Sequence, residues 1–168
     1  MKAAIREILT TVLLALLIFV AIRAVAHNFE VHGFSMEPNL HDGQFIIVNR
    51  AAYWFSDPLR GDIVVFKTDN RGIVHRIVGL PGEVIEMRNG KLYVNGEKQE
   101  EPYIQGGPLS VSPRRLLHGR FFIVGDNRAA TSWHIVPRRD LIGRAWLIYW
   151  PISDWGMVPN HSWESEAN

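Results

Sequence analysis

Ile8 to Ile22 reads ILTTVLLALLIFVAI without a charge, and no other feature constrains the chain as much. Carried through Arg23 to Ala26 it makes a helix of about 28 Å, close to the thickness of a bilayer's hydrocarbon core. Lys2 and Arg6 precede it. By the positive-inside rule, residues 1–6 stay cytoplasmic, 7–26 form a single plasma-membrane anchor, and the chain from His27 onward lies on the extracytoplasmic side. Arg23 then sits at the outer interface and snorkels to the headgroups. Ala24-Val25-Ala26 also has the small-x-small form of a signal cleavage site. An arginine so near that cut favours a retained anchor.

The exported part is an ordinary globular sequence. The 168-residue chain is 47% hydrophobic and 21% charged, too apolar for disorder. It has no cysteine, which excludes disulfides, a thiol nucleophile and cysteine-ligated metal. The net charge of +1 gives no field directed at nucleic acid. Short β-rich runs recur between turn signals: 45–48, 63–66, 73–78, 83–87, 91–94, 121–124 and 145–150. Asn89-Gly90 and Asn95-Gly96 mark tight hairpins. These features predict an all-β domain of antiparallel sheets over 27–158. Residues 97–118, polar and rich in Pro and Gly, are expected as a surface excursion, and 159–168 as a flexible tail.

Three segments carry possible chemistry. In Val31-His32-Gly33-Phe34-Ser35-Met36-Glu37-Pro38-Asn39-Leu40, Gly33 frees the backbone before a serine and Pro38 stiffens it afterwards. Such a fixed serine suits a nucleophile beside free amides, although a Gly-x-Ser loop is most often only a turn. In Ile73 to Val78, strand alternation puts Ile73, His75 and Ile77 on one face and Val74, Arg76 and Val78 on the other. His75 reads either as a bonded core histidine or as a general base. The run Phe121 to Arg128 ends a strand in a Gly-Asp-Asn-Arg turn. His134, just beyond it, is a rival base. No H-E-x-x-H or histidine cluster suggests a metal, and no fingerprint suggests a cofactor.

Together these segments resemble type I signal peptidase, peptidase family S26. The matching pieces are GFSMEPNL around Ser35, RGDIVVF (60–66), HRIVGLPGE (75–83), VGDNR (124–128) and IGRAWLIYWP (142–151). The resemblance implies a membrane-anchored serine endopeptidase with an antiparallel β-sheet catalytic domain behind one transmembrane helix. Such enzymes remove signal peptides from exported preproteins after small residues at −1 and −3. Their partners are preprotein signal peptides, the lipid bilayer and, indirectly, the export machinery. It implies Ser35 as nucleophile, with its own amide at the oxyanion and Gly33 where some members carry a second donor. Val31, Phe34, Met36, Leu40 and Ile73 are implied near the substrate. Asp126 and Arg128 are implied as braces, with Arg76 as partner of Asp126.

Two departures from the family pattern matter. His75 stands where the bacterial family normally has lysine, which makes the implied pair a Ser-His dyad. An imidazole reaches about 2 Å less far than a lysine ammonium, so its strand must lie closer to Ser35. An unperturbed histidine base predicts activity that falls below a pH of about 6.5. Second, the family's Asp-Ser-Arg is missing after Arg128, where the chain reads Ala129-Ala130-Thr131-Ser132-Trp133-His134 in a shorter loop. Thr131 takes the place of a hydroxyl that bonds the base. Asp126, Thr131 or a backbone carbonyl remain as acceptors to orient the imidazole. The competing expectation is an impaired relative that binds extended peptides at the membrane without cutting them.

Overall fold

A computed structural model describes residues 2–68 and 71–161. Helix α1 (Lys2–Val25) contains a span, Ala4–Val25, of mean hydropathy 2.6, none of it buried against the rest of the chain. That is the expected state of an apolar helix whose solvent is lipid. It passes directly into β1 (Ala26–Glu30), so Ala26 is already a strand residue paired with Asn49.

Eleven further strands follow: β2 (Phe45–Asn49), β3 (Ile63–Lys67), β4 (Gly72–Gly79), β5 (Val84–Arg88), β6 (Lys91–Val94), β7 (Glu97–Lys98), β8 (Val111–Arg115), β9 (Arg120–Val124), β10 (Trp133–Pro137), β11 (Leu141–Trp150) and β12 (Gly156–Met157). The larger sheet runs β1-β2-β11-β3-β4-β9-β10, with β12 added to β11. The smaller runs β7-β6-β5-β8. Every pairing between these strands is antiparallel, as expected for an all-β domain. The two Asn-Gly pairs make the hairpin turns read from the sequence. Asn89 and Gly90 have φ of 49° and 77°, Asn95 and Gly96 52° and 89°, the left-handed pair that a two-residue hairpin requires.

Apolar side chains gather in three clusters. One lies under β2, β3 and β11 and includes Val31, Met36 and Leu40. A second joins the sheets, Ile85, Met87 and Leu92 meeting Phe122 and Val124. The third covers the opposite face of β3, β4 and β9 through Val64, Phe66, Ile77 and Ile123. Strand β4 lies between clusters, so both its faces are buried from Val74 onward.

Two segments depart from the sequence expectation. The 97–118 excursion contains β7 and β8, and it buries Val111 and Leu116 in the second cluster. Its Pro113 is tolerated because β8 is an edge strand. Pro159 to His161 are bonded into the fold rather than loose. The Asn160 side chain accepts from the Ile63 amide at 2.7 Å, Arg76 donates to the Pro159 carbonyl at 3.1 Å, and the His161 amide donates to Gly61 O at 3.2 Å. The rest of the expected tail, 162–168, lies outside the described residues.

Candidate active site

Ser35 occupies a turn between β1 and β2. The stem is closed by Val31 N donating to Gln44 O at 2.8 Å and Gly43 N to Val31 O at 2.9 Å. Asp42 Oδ1 accepts from Gly33 N at 2.6 Å, so that amide is already engaged. Past the serine the backbone makes a tight turn, Leu40 N donating to Met36 O at 3.0 Å. This drops Met36 and Leu40 into the core, both 0% exposed. Burying two such side chains stabilises the turn by roughly 2–3 kcal/mol each. Among the described residues, the Ser35 amide donates to nothing.

Strand β4 brings His75 to this turn. Its Nε2 lies 3.1 Å from Ser35 Oγ, which meets the shorter reach of an imidazole. Thr131 Oγ1 is 3.4 Å from the same nitrogen and also accepts from the Gly125 amide at 3.0 Å. Nδ1 is buried with no partner among the described residues. None of the three acceptors considered from the sequence therefore holds it. Asp126 is committed elsewhere, Thr131 meets Nε2, and no carbonyl reaches Nδ1.

The ring is 2% exposed. Burial, and to a lesser degree the neighbouring His134, push its pKa down to about 3. The unperturbed value expected from sequence is thus corrected: His75 is uncharged at every pH above the strongly acidic range. With Nε2 accepting from Ser35, the proton must sit on Nδ1.

Asp126 and Arg76 form a fully buried bidentate pair. Arg76 Nε donates to Oδ1 at 2.9 Å and Nη2 to Oδ2 at 2.7 Å. Arg76 also donates to Gly61 O at 2.8 Å and lies over the Tyr103 ring at 4.1 Å. Asn39 Nδ2 adds a bond to Asp126 Oδ2 at 2.8 Å, tying the pair to the serine turn. Asn127 donates from its amide to Ser35 O at 2.9 Å and from its side chain to Phe34 O at 3.1 Å. Arg128 is held by Glu101 at 2.6 Å and donates to Gly125 O and Gly90 O. The two loops touch at Gly125, where an added Cβ would stand 2.3 Å from Ser35 O and 2.5 Å from Thr131 Oγ1. Only glycine allows that approach.

A cleft of about 680 Å³ opens over Ser35, His75 and Thr131. Its walls include Phe29 and Glu30 of β1, Gly33, and Gly72 to Val74 of β4. Of the residues the sequence placed near substrate, Ile73 is on this wall. Val31, Met36 and Leu40 instead lie in the core beneath the turn, and Phe34, 63% exposed, is not among the residues that line the cleft. The sequence reading missed Phe29, Glu30 and Arg71, all cleft-lining. The signal available for the first two was the period-2 order of Ala26 to Glu30, too short and polar to stand out.

The sequence profile described as "Signal peptidase, peptidase S26" matches residues 4–150. The chain belongs to the S26 signal peptidase family. Its relatives include a probable signal peptidase I-2 of Synechocystis, 33% identical over 96% of this chain and 80% of its own length. A signal peptidase I of Leptolyngbya laminosa is 33% identical over 89% and 82%. Signal peptidase I U of Bacillus subtilis is 33% identical, covering 88% of each chain. The protein is thus a hydrolase of the serine peptidase kind, and its apolar α1 fits the membrane anchoring of such enzymes.

Proposed function

We propose that this S26 peptidase removes N-terminal signal peptides from exported preproteins with Ser35 as nucleophile and His75 as base, the histidine standing in for the usual lysine. The observation that carries the reading is the 3.1 Å contact between Ser35 Oγ and His75 Nε2 at the floor of an open cleft. Ser35 Oγ attacks the scissile carbonyl and passes its proton to Nε2, which returns it to the leaving amine. A water, deprotonated at the same nitrogen, then hydrolyses the acyl-enzyme. The free Ser35 amide faces the developing oxyanion. Gly33 supplies no second amide there, since its N–H is bonded to Asp42.

The cleft is suited to an extended chain. Among the described residues, β1 pairs only with β2, and Gly72 to His75 of β4 pair only with β3, because β9 joins at Arg76. Two unpaired strand edges therefore flank the cleft, and a peptide between them gains backbone hydrogen bonds. Lys2 and Arg6 before the span keep the N-terminus cytoplasmic, which leaves the cleft at the outer face of the plasma membrane, where export delivers preproteins.

The test is cleavage of a preprotein bearing Ala-x-Ala by the detergent-solubilised full chain. Cleavage after the second alanine that vanishes in Ser35→Ala and in His75→Ala is the expected result. Undiminished cleavage by Ser35→Ala contradicts the mechanism.

A further inference from the structure

His75 has a neighbour that the dyad does not use. His134, on β10, stands opposite Ile123 of β9, which pairs with Ile77 of β4, so all three share a face with His75. Its ring centroid is 5.8 Å from that of His75, tilted by 36°. Phe66 of β3 contacts both rings, at 6.0 Å from His75 and 5.2 Å from His134. Ser132 Oγ lies 3.0 Å from His134 Nε2, which fixes the ring from its own segment. The base is thus held between an aromatic wall and a second imidazole.

We propose that His134 is a positioning residue for the base: uncharged, it holds the His75 ring against Ser35, and charged, it suppresses proton uptake by His75. The proposal rests on the Ser35–His75 reading given above. It has two geometric supports. The His75 ring has no bond at Nδ1, so its orientation depends on packing, and His134 and Phe66 are the rings in contact with it. Among the described residues no carboxylate bonds to His75: Glu30 and Arg71 line the same cleft, but Glu30 is 3.9 Å from His32, and His134 is the one charged partner of the His75 ring. Among the described residues, the groups recorded against His134 are His75 on β4, Phe66 on β3 and the Ser132 hydroxyl, so nothing offsets a charge on it.

The order of protonation follows from burial. His134 is half-buried and its pKa falls below the ordinary histidine value for that reason. His75 is buried more deeply and is lowered further by charge on His134. On acidification His134 therefore takes its proton first. A cation 5.8 Å from the site where the imidazolium forms weakens proton uptake by about 100-fold at an effective dielectric of about 20.

The experiment uses the full chain in detergent micelles and two variants, His134→Gln and His134→Lys, each checked for folding by thermal melting. Wild-type kcat/KM should fall by about 100-fold along an acid limb below pH 6.5. In His134→Gln the limb that begins below pH 6.5 should be replaced by one that begins lower, set by His75 alone, with a few-fold lower rate at pH 8 from a looser ring. In His134→Lys the 100-fold deficit should persist through pH 8, where the wild type has recovered, for as long as the lysine keeps its charge. A residue that only fills space would leave the limb in place. A second readout is independent of cleavage: the His75 ring resonances should titrate about two pH units higher in His134→Gln than in wild type. If no form cleaves the preprotein, the Ser-His reading fails while this coupling is still measured. An unchanged acid limb in His134→Gln, or a His75 titration identical in both proteins, overturns the proposal.

Discussion

Neighbouring residues of β4 carry two polar side chains to opposite faces, and their surroundings differ sharply. Arg76 makes four hydrogen bonds, two of them to a carboxylate, and is 0% exposed. His75 is almost as buried, at 2%, yet has one nitrogen at Ser35 and the other unpartnered. A buried polar group normally finds its partners. On the Arg76 face the rule holds, and the result ties β4, the Gly-Asp-Asn-Arg turn, the serine turn and the C-terminal Pro159 into one block. On the His75 face the rule is broken beside the cleft. The satisfied face is architecture that fixes where β4 lies. The unsatisfied face leaves a neutral base with its accepting nitrogen toward a hydroxyl.

The comparison can be broken at several places. The largest effect is expected on the satisfied face. Asp126→Ala strands a buried guanidinium and should cost about 3–5 kcal/mol in unfolding free energy, measured by denaturant titration. A loss under about 1 kcal/mol would mean that the pair is not the brace described. Next comes the loop contact: Gly125→Ala forces a methyl into Ser35 O and should lower kcat/KM by about 100-fold or more, a scale set by misplacement of a reacting group. Equal activity to wild type would show that the two loops do not fix the serine.

On the unsatisfied face the sign of the pH dependence is opposite to that of a paired histidine. His75 binds its proton in the unfolded chain at about 6.5 but in the folded protein only at about 3. Between these values the unfolded state holds more protons, so stability is greatest above pH 6.5 and is lost as pH falls toward 3. The slope from this group is at most about 1.4 kcal/mol per pH unit. Denaturation midpoints from pH 7 to 4 should show it, and His75→Gln should flatten it. The smallest effect is expected from Thr131→Val, which removes an acceptor from the Gly125 amide and should cost about 1 kcal/mol with a modest fall in rate.

What could be read from the sequence divides along a similar line. The strands found by pattern, such as β3, β4 and β9, are buried and rich in branched or aromatic residues. The strands that escaped, β1, β7, β8, β10 and β12, each pair with one neighbouring strand among the described residues and have exposed or mixed faces. Edge strands owe their position to a neighbour's hydrogen bonds rather than to their own side chains, so their composition says little. Much of the cleft wall comes from such an edge, which is why Phe29 and Glu30 were not anticipated. The alternation in β4 correctly separated His75 from Arg76. Depth of burial was not legible, because the ring's surroundings come from β3 and β10, distant in sequence, and with it went the shift in the His75 pKa. The family resemblance implies Met36 and Leu40 near the substrate. The tight turn that follows the serine, which sequence did not foretell, sends them inward instead.

The dyad itself can be tested by a double-mutant comparison. Preprotein cleavage is measured under single-turnover conditions at pH 8 for Ser35→Ala, His75→Ala and the double variant, each folded as judged by its melt. Two groups that act as one unit lose their contribution together. Each single change should therefore lower the rate by about 1,000-fold or more, and the double change should be no worse than either. Losses that multiply in the double variant, or cleavage that survives either single change, would contradict the account.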